Sequence, residues 1–116
     1  IWNLGPSPNC CSTVSISGSK YHFLNRIYSQ NGTIFTNRPL YVDPVLERYG
    51  IWFEGIERGW IIGFISKLNE GNATYGFAHN KENVDCPAET EIWDEYGSDF
   101  GPADIITHDI IMECVG

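Results

Sequence analysis

Gly59-Trp60-Ile61-Ile62-Gly63-Phe64-Ile65 follows Gly50-Ile51-Trp52-Phe53-Glu54-Gly55 after only a few residues, and both runs are dense in β-branched and aromatic side chains. Such side chains fit a pleated, half-buried surface, and the glycines at the ends of each run mark turns, so the pair reads as a hairpin. On the two-residue period of a strand Trp60, Ile62 and Phe64 share one face while Ile61 and Ile65 share the other. Apolar residues on both faces mean a strand covered on both sides, and the core is expected to centre on it.

Strand signals continue outward in both directions. Residues 13–17 alternate polar and apolar, and Gly18-Ser19 supplies a turn before Tyr21-His22-Phe23-Leu24, which predicts a first hairpin. Asn31-Gly32, the dipeptide best suited to a tight turn with positive φ, lies between Ile27-Tyr28 and Ile34-Phe35 and predicts a second. Pro39 and Pro44 bracket a short strand over residues 38–44, and because proline cannot donate to a ladder this strand is expected at an edge. Residues 45–49 are the best helix candidate, at one turn. On the C-terminal side short strands are expected over 74–78 and 91–93, with a loop over 81–89 pinned by Cys86 and stopped by Pro87. An acidic stretch over 94–104 then leads into a long terminal strand over 105–115. About eight short strands with turns between them, and no helical-period stripe or repeat, indicate an all-β fold: a small antiparallel sandwich or barrel.

A chain of 116 residues suits one domain. Residues 1–12, with Gly5, Pro6 and Pro8, read as an extended Pro-rich lead-in, and residues 13–116 as a single β-rich domain. The chain opens on Ile1 rather than Met, as a processed protein and an excised domain both would. Fifteen acidic residues against seven basic ones give a formal net charge of −8, and the basic residues are scattered singly. Nucleic acid and anionic membranes are therefore poor partners. No apolar run approaches the roughly 20 residues of a membrane-spanning helix, so no membrane insertion is expected.

Four cysteines, Cys10, Cys11, Cys86 and Cys114, suit two disulfides, which a modest core commonly needs as a supplement. Zinc is the competing reading, but His22, His79 and His108 stand far from one another and from the cysteines, without the close ligand pairs of a structural site. Neighbouring Cys10 and Cys11 face opposite ways on a strand and so take separate partners. If that strand is regular, Cys10 shares a face with Val14 and Ile16, as Cys114 does with Ile110 and Met112, and parity favours Cys10 with Cys114 and Cys11 with Cys86. A one-residue bulge inverts the pairing. Asn31-Gly32-Thr33 and Asn72-Ala73-Thr74 are N-glycosylation acceptors in polar, glycine-containing stretches, and together with the cysteines they point to an extracellular protein, secreted or at the cell surface.

Sites of chemistry are thinner. Asp94, Glu95, Asp99 and Asp104 could gather oxygen ligands for calcium, but the order of an EF-hand loop is missing and a solvated acidic loop explains them as well. No pair among the fifteen acids is singled out for glycoside hydrolysis. Ser98, His108 and Asp109 do not make a triad, because adjacent residues on a strand face opposite sides. His108 shares a predicted face with Ile106 and Ile110 and reads as a core histidine. Trp52, Trp60 and Trp93 could line a binding surface but suit core packing better, while Trp2, outside the regular strands, is the freest to meet a partner. No enzyme and no cofactor are expected.

The order Asn37-Arg38-Pro39-Leu40-Tyr41, Ile51-Trp52-Phe53, Gly59-Trp60-Ile61-Ile62-Gly63, Cys86-Pro87, Ile92-Trp93 and a terminal run closing at Cys114 resembles a class of small disulfide-bonded domains in secreted, often multidomain, invertebrate proteins. The likeness spans roughly residues 13–114, and it departs from that pattern in the doubled Cys10-Cys11 and in the acidic stretch after Trp93. It implies a β-rich extracellular module without catalytic residues. The function expected is recognition, adhesion or assembly with a protein or glycan partner or in a homo-oligomer. A carbohydrate-binding lectin and a structural subunit of a secreted fibre or matrix are the alternatives.

Overall fold

The computed structural model describes residues 10–70, 76–97 and 105–115. Nine strands occupy them: β1 Thr13–Ser17, β2 Ile27–Phe35, β3 Arg38–Val42, β4 Tyr49–Phe53, β5 Trp60–Phe64, β6 Ala78–Asn80, β7 Asp94–Tyr96, β8 Ile105–Thr107 and β9 Ile111–Cys114. They form one antiparallel sheet in the order β8-β7-β6-β5-β4-β3-β2-β1-β9. The fold is therefore all-β, a single sheet curled into a half-barrel, with short 3₁₀ turns at His22–Leu24, Ile65–Glu70 and Pro87–Glu89 and no α-helix among the described residues. The outermost strands β8 and β9 are consecutive in the chain. Only residues 108–110 separate them, and four Cα steps reach at most about 14 Å, so the sheet must curl until its edges meet.

The central hairpin forms as the sequence predicts, with Ile51 opposite Ile62 and Phe53 opposite Trp60. Its two faces bury two clusters. Inside the curl Tyr49, Ile51, Phe53, Trp60 and Ile62 pack with Val14, Ile16, Tyr28, Tyr41, Phe77, Trp93 and Met112. Leu40, Trp52 and Ile61 form the outer cluster, against which Ile65 and Leu68 of the second 3₁₀ turn pack. Gly50 sits opposite Gly63 there, and a Cβ on Gly50 would lie 2.2 Å from Ile65 Cδ1, so the missing side chain is what lets the turn close on the sheet.

Elsewhere tertiary pairing overrides the local signals. Tyr21–Leu24 does not form a strand: His22–Leu24 is a 3₁₀ turn, and β1 pairs instead with β2 and β9. Asn31-Gly32 is not the hairpin turn. It lies inside the nine-residue β2, where the register shifts between Gln30 and Ile34, and Gly32 (φ 89°) absorbs the irregularity. The turn falls at Thr36-Asn37, whose consecutive positive φ values of 48° and 68° match the twist of the flanking strands. Strand β3 is interior rather than at an edge. Pro39 is tolerated because the Phe53 carbonyl, which residue 39 would meet if the β3–β4 register continued, accepts the Thr36 hydroxyl instead. Residues 45–49 make no helix, since Oδ1 of Asp43 accepts the N–H groups of Val45 (3.0 Å) and Leu46 (3.2 Å) and ties them into a turn.

The C-terminal third departs further. Strand β6 begins at Ala78, and residues 74–75 of the strand expected there lie outside the described residues. The next strand is Asp94–Tyr96 rather than 91–93. The terminal run is broken at residues 108–110 and changes partner, its first half pairing with β7 and its second with β1.

Both disulfides form, with the pairing opposite to that favoured by parity: Cys10–Cys86 and Cys11–Cys114. The chain bends at Cys10 and at Ser12 and becomes a strand only at Thr13, so the two-residue alternation does not extend back to the cysteines. Cys114 lies opposite Val14, and Cys11 reaches it across the bend.

Candidate binding surface

Trp52, Trp60 and Trp93 are core residues, between 0% and 3% exposed. The indole N–H of Trp60 donates to the Val84 carbonyl at 3.0 Å and that of Trp93 to the Thr90 hydroxyl at 2.8 Å, which satisfies both polar edges on burial. Trp2 lies outside the described residues, as do Asn72, Ser98, Asp99 and Asp104. Asn31 is exposed, and its Oδ1 accepts the Thr33 N–H at 2.9 Å.

The two described members of the acidic set do not converge as metal ligands. Asp94 pairs with His108 at 3.0 Å, while Glu95 points the other way into the fold. There the fully buried Glu95 carboxylate accepts the Ser19 hydroxyl and, at 3.0 Å and 3.2 Å, the N–H of Lys20. It joins the loop after β1 to β7. No group of three or more potential ligands is assembled among the described residues. His108, expected in the core, has a 57% exposed side chain, because the run it belongs to leaves strand geometry at that point. Strand β7 positions a second buried pair, as Tyr96 Oη is hydrogen-bonded to Nδ1 of His79 on β6. Burial holds the His79 pKa below its usual 6.5; nearby Asp94 pulls it back up, and Lys81 and Arg58 add to the lowering.

The sequence reading missed a constellation of aromatic rings at one end of the half-barrel. It draws on the loop after β1 (Tyr21, Phe23), the first residue of β4 (Tyr49), the last of β5 (Phe64) and Phe77 before β6. Phe23 stacks on Tyr49 with centroids 4.9 Å apart and planes at 24°, and meets Phe77 edge-on at 5.4 Å. Phe77 also contacts Tyr21 at 4.9 Å and Phe64 at 5.0 Å. Arg26 lies over the Tyr49 ring at 5.7 Å, bonds the Phe23 carbonyl through Nε at 2.7 Å, and pairs with the buried Asp43 at 3.3 Å. Burial would raise the Asp43 pKa, but the N–H groups of Leu46 and Val45 and the Arg26 charge outweigh it and hold the carboxyl below its usual 3.8. The cation is thereby fixed against a charged partner.

These rings are not all hidden. Phe23 is 36% exposed, and Tyr21 and Phe64 are half-buried. Phe64 is also one wall of an open concavity of 580 Å³ whose other lining residues are Leu46, Glu47, Arg48, Ile65 and Ser66. A lining that combines a ring and two aliphatic side chains with an acid, a guanidinium and a hydroxyl can hold a ligand by ring contact and orient it by hydrogen bonds. The available signal was the aromatic density of Tyr21-His22-Phe23 directly after a turn, which the sequence presents as a hairpin and the structure makes a 3₁₀ turn at His22–Leu24.

The chain matches no family model, no curated protein and no solved structure.

Proposed function

We propose that the chain is a non-enzymatic extracellular module of recognition, adhesion or assembly, and that it meets a protein or glycan partner through the aromatic end. The half-exposed Phe23 ring, stacked on Tyr49 beside an open concavity, carries this reading. A protein in water seldom leaves clustered rings at its surface without use, and rigid aromatic side chains give large contact area at low entropic cost. Two disulfides are compatible with an oxidising compartment, and among the described residues no helix is long and apolar enough to cross a membrane. The exposed Asn31 sequon and the likeness to small domains of secreted invertebrate proteins support the same location.

The lectin form of the reading is favoured by one observation, the Glu47 and Arg48 rim next to Phe64, since sugars present apolar C–H faces and polar hydroxyls together. Two measurements test the proposal. Intact mass before and after reduction and deglycosylation should show four cysteines that alkylate only after reduction; free thiols in the native protein would end the extracellular reading. A glycan array and a cell-surface binding assay should then give a ligand that Phe23→Ala and Arg48→Ala weaken at least about tenfold. A ligand bound equally well by both variants, with their circular dichroism unchanged, would place the interaction elsewhere.

A further inference from the structure

The two disulfides start from adjacent residues but end at different depths. Cys10 and Cys86 are 8% and 4% exposed, and Sγ of Cys10 lies 3.5 Å from the Asp85 carbonyl. Cys11 is half-buried and Cys114 exposed. Cys114 is the last residue of β9, a four-residue strand at the edge of the sheet whose ladder runs to β1 alone. The backbone around Cys11 is anchored by contrast: its carbonyl accepts the Tyr41 hydroxyl at 2.5 Å and the Gln30 side-chain amide at 3.1 Å, and the next carbonyl, of Ser12, accepts the Gln30 N–H at 2.9 Å. Cys11 is therefore anchored through its backbone, while Cys114 stands exposed at a strand end.

Thiol–disulfide exchange requires a thiolate to reach a disulfide sulfur, so access selects the bond and the atom attacked. We infer that Cys11–Cys114 is a thiol-exchange site whose reaction partner is an external thiolate. The thiolate attacks Sγ of Cys114, a new S–S bond forms there, the Cys11–Cys114 bond breaks, and Cys11 leaves as the thiolate. A dithiol reagent resolves the mixed disulfide with its second thiolate, leaving Cys114 reduced and the reagent as its own disulfide. Strand β9 then stays in place through its ladder, the Val115 N–H bond to the Thr13 carbonyl at 3.0 Å, and the burial of Ile110 and Met112. The freed Cys11 thiolate, next in sequence to Cys10, can in turn attack Cys86, forming Cys11–Cys86 and releasing Cys10 as the thiolate. The doubled cysteine thus offers a chemical route from the accessible disulfide to the buried one, whatever the aromatic end binds.

Limiting dithiothreitol on the native full chain, quenched with iodoacetamide and mapped by peptide mass spectrometry, tests this. Cys114 should alkylate at least about tenfold sooner than Cys86. Its companion thiol is Cys11 for simple opening or Cys10 after the second exchange, and either result carries the inference. Cys86 labelled before or together with Cys114, or no label until denaturant is added, would overturn it. The double variant Cys11→Ser, Cys114→Ser provides a second arm, in which Cys10–Cys86 should resist the same reductant at least about tenfold longer than the wild-type Cys11–Cys114 bond does. Equal rates would again overturn it. If the protein as isolated has no disulfides, this inference and the extracellular reading fall together, whereas native disulfides that open in the wrong order overturn the inference alone.

Discussion

His79 shows how one side chain couples to the whole fold. It is 3% exposed on β6, stacked on the Tyr96 ring at 5.3 Å, and burial keeps its pKa below 6.5. As pH falls past about 6.5 the unfolded chain takes up this proton before the native one does, so the native state loses stability from there down to the folded-state pKa. One proton bounds this slope at about 1.4 kcal/mol per pH unit within that window, and none of the loss is present above pH 7.5 or so. Urea unfolding from pH 7.5 to pH 5 should show this slope for the wild type and a shallower one for His79→Gln. An equal slope in both proteins would assign the acid sensitivity to other groups.

At the scale of elements, turns and ladder ends made the sequence hardest to read. The turn joining β3 to β4 contains Glu47 at φ +54°, a left-handed conformation that costs a non-glycine residue about 1–2 kcal/mol. Glu47 is exposed, and the hydrogen bond that ties it to Asp43 comes from its backbone N–H at 3.0 Å. Glu47→Gly should therefore raise stability by about 0.5–1 kcal/mol in chemical denaturation, the gain in turn geometry exceeding the flexibility added to the unfolded chain. The same substitution removes the acid from the rim of the concavity, so any ligand bound through a carboxylate there should weaken as the fold strengthens. At the neighbouring hairpin Asn31-Gly32 carried the stronger turn signal, yet Thr36-Asn37 makes the turn. Arg38 pairs with Phe35 and Tyr41 with Gln30, a pairing that accompanies Tyr41 in the inner cluster and Leu40 and Phe35 at the outer one, and that register leaves Gly32 in the irregular stretch of β2.

The whole molecule depends on holding the two ends of the sheet together. The Glu95 carboxylate, bonded by Ser19 and the Lys20 N–H, ties β7 to the loop after β1, and the Tyr21 hydroxyl adds bonds to the carbonyls of Tyr96 (2.7 Å) and Gly97 (3.1 Å). Gly18 lets the loop after β1 draw close to the link between β8 and β9: a Cβ on it would sit 2.2 Å from the Asp109 carbonyl oxygen. Hydrogen bonds to a charged group contribute about 1.5–3 kcal/mol each, so Glu95→Ala should cost roughly 3 kcal/mol or more. Hydrogen exchange should show β7 and β8 losing protection before the central hairpin does. Uniform loss across the sheet would mean that the closure and the hairpin unfold as one unit.

What the sequence determined by itself is the chemistry that acts over short range or by composition. The central hairpin was legible because Trp60-Ile61-Ile62 buries both faces whatever its neighbours are, and the all-β class because no helical period competes with the strand signals. Two disulfides followed from four cysteines without metal-ligand spacing. The tertiary structure decided everything that needs a partner distant in the chain. It made β3 interior, placed Tyr21 and Phe23 on a turn where they build the aromatic end, split the terminal run between β7 and β1, and paired Cys10 with Cys86. A strand's pattern states which side of it is buried but not which strand lies beside it, and a bend such as that at Ser12 resets the alternation on which any longer extrapolation rests.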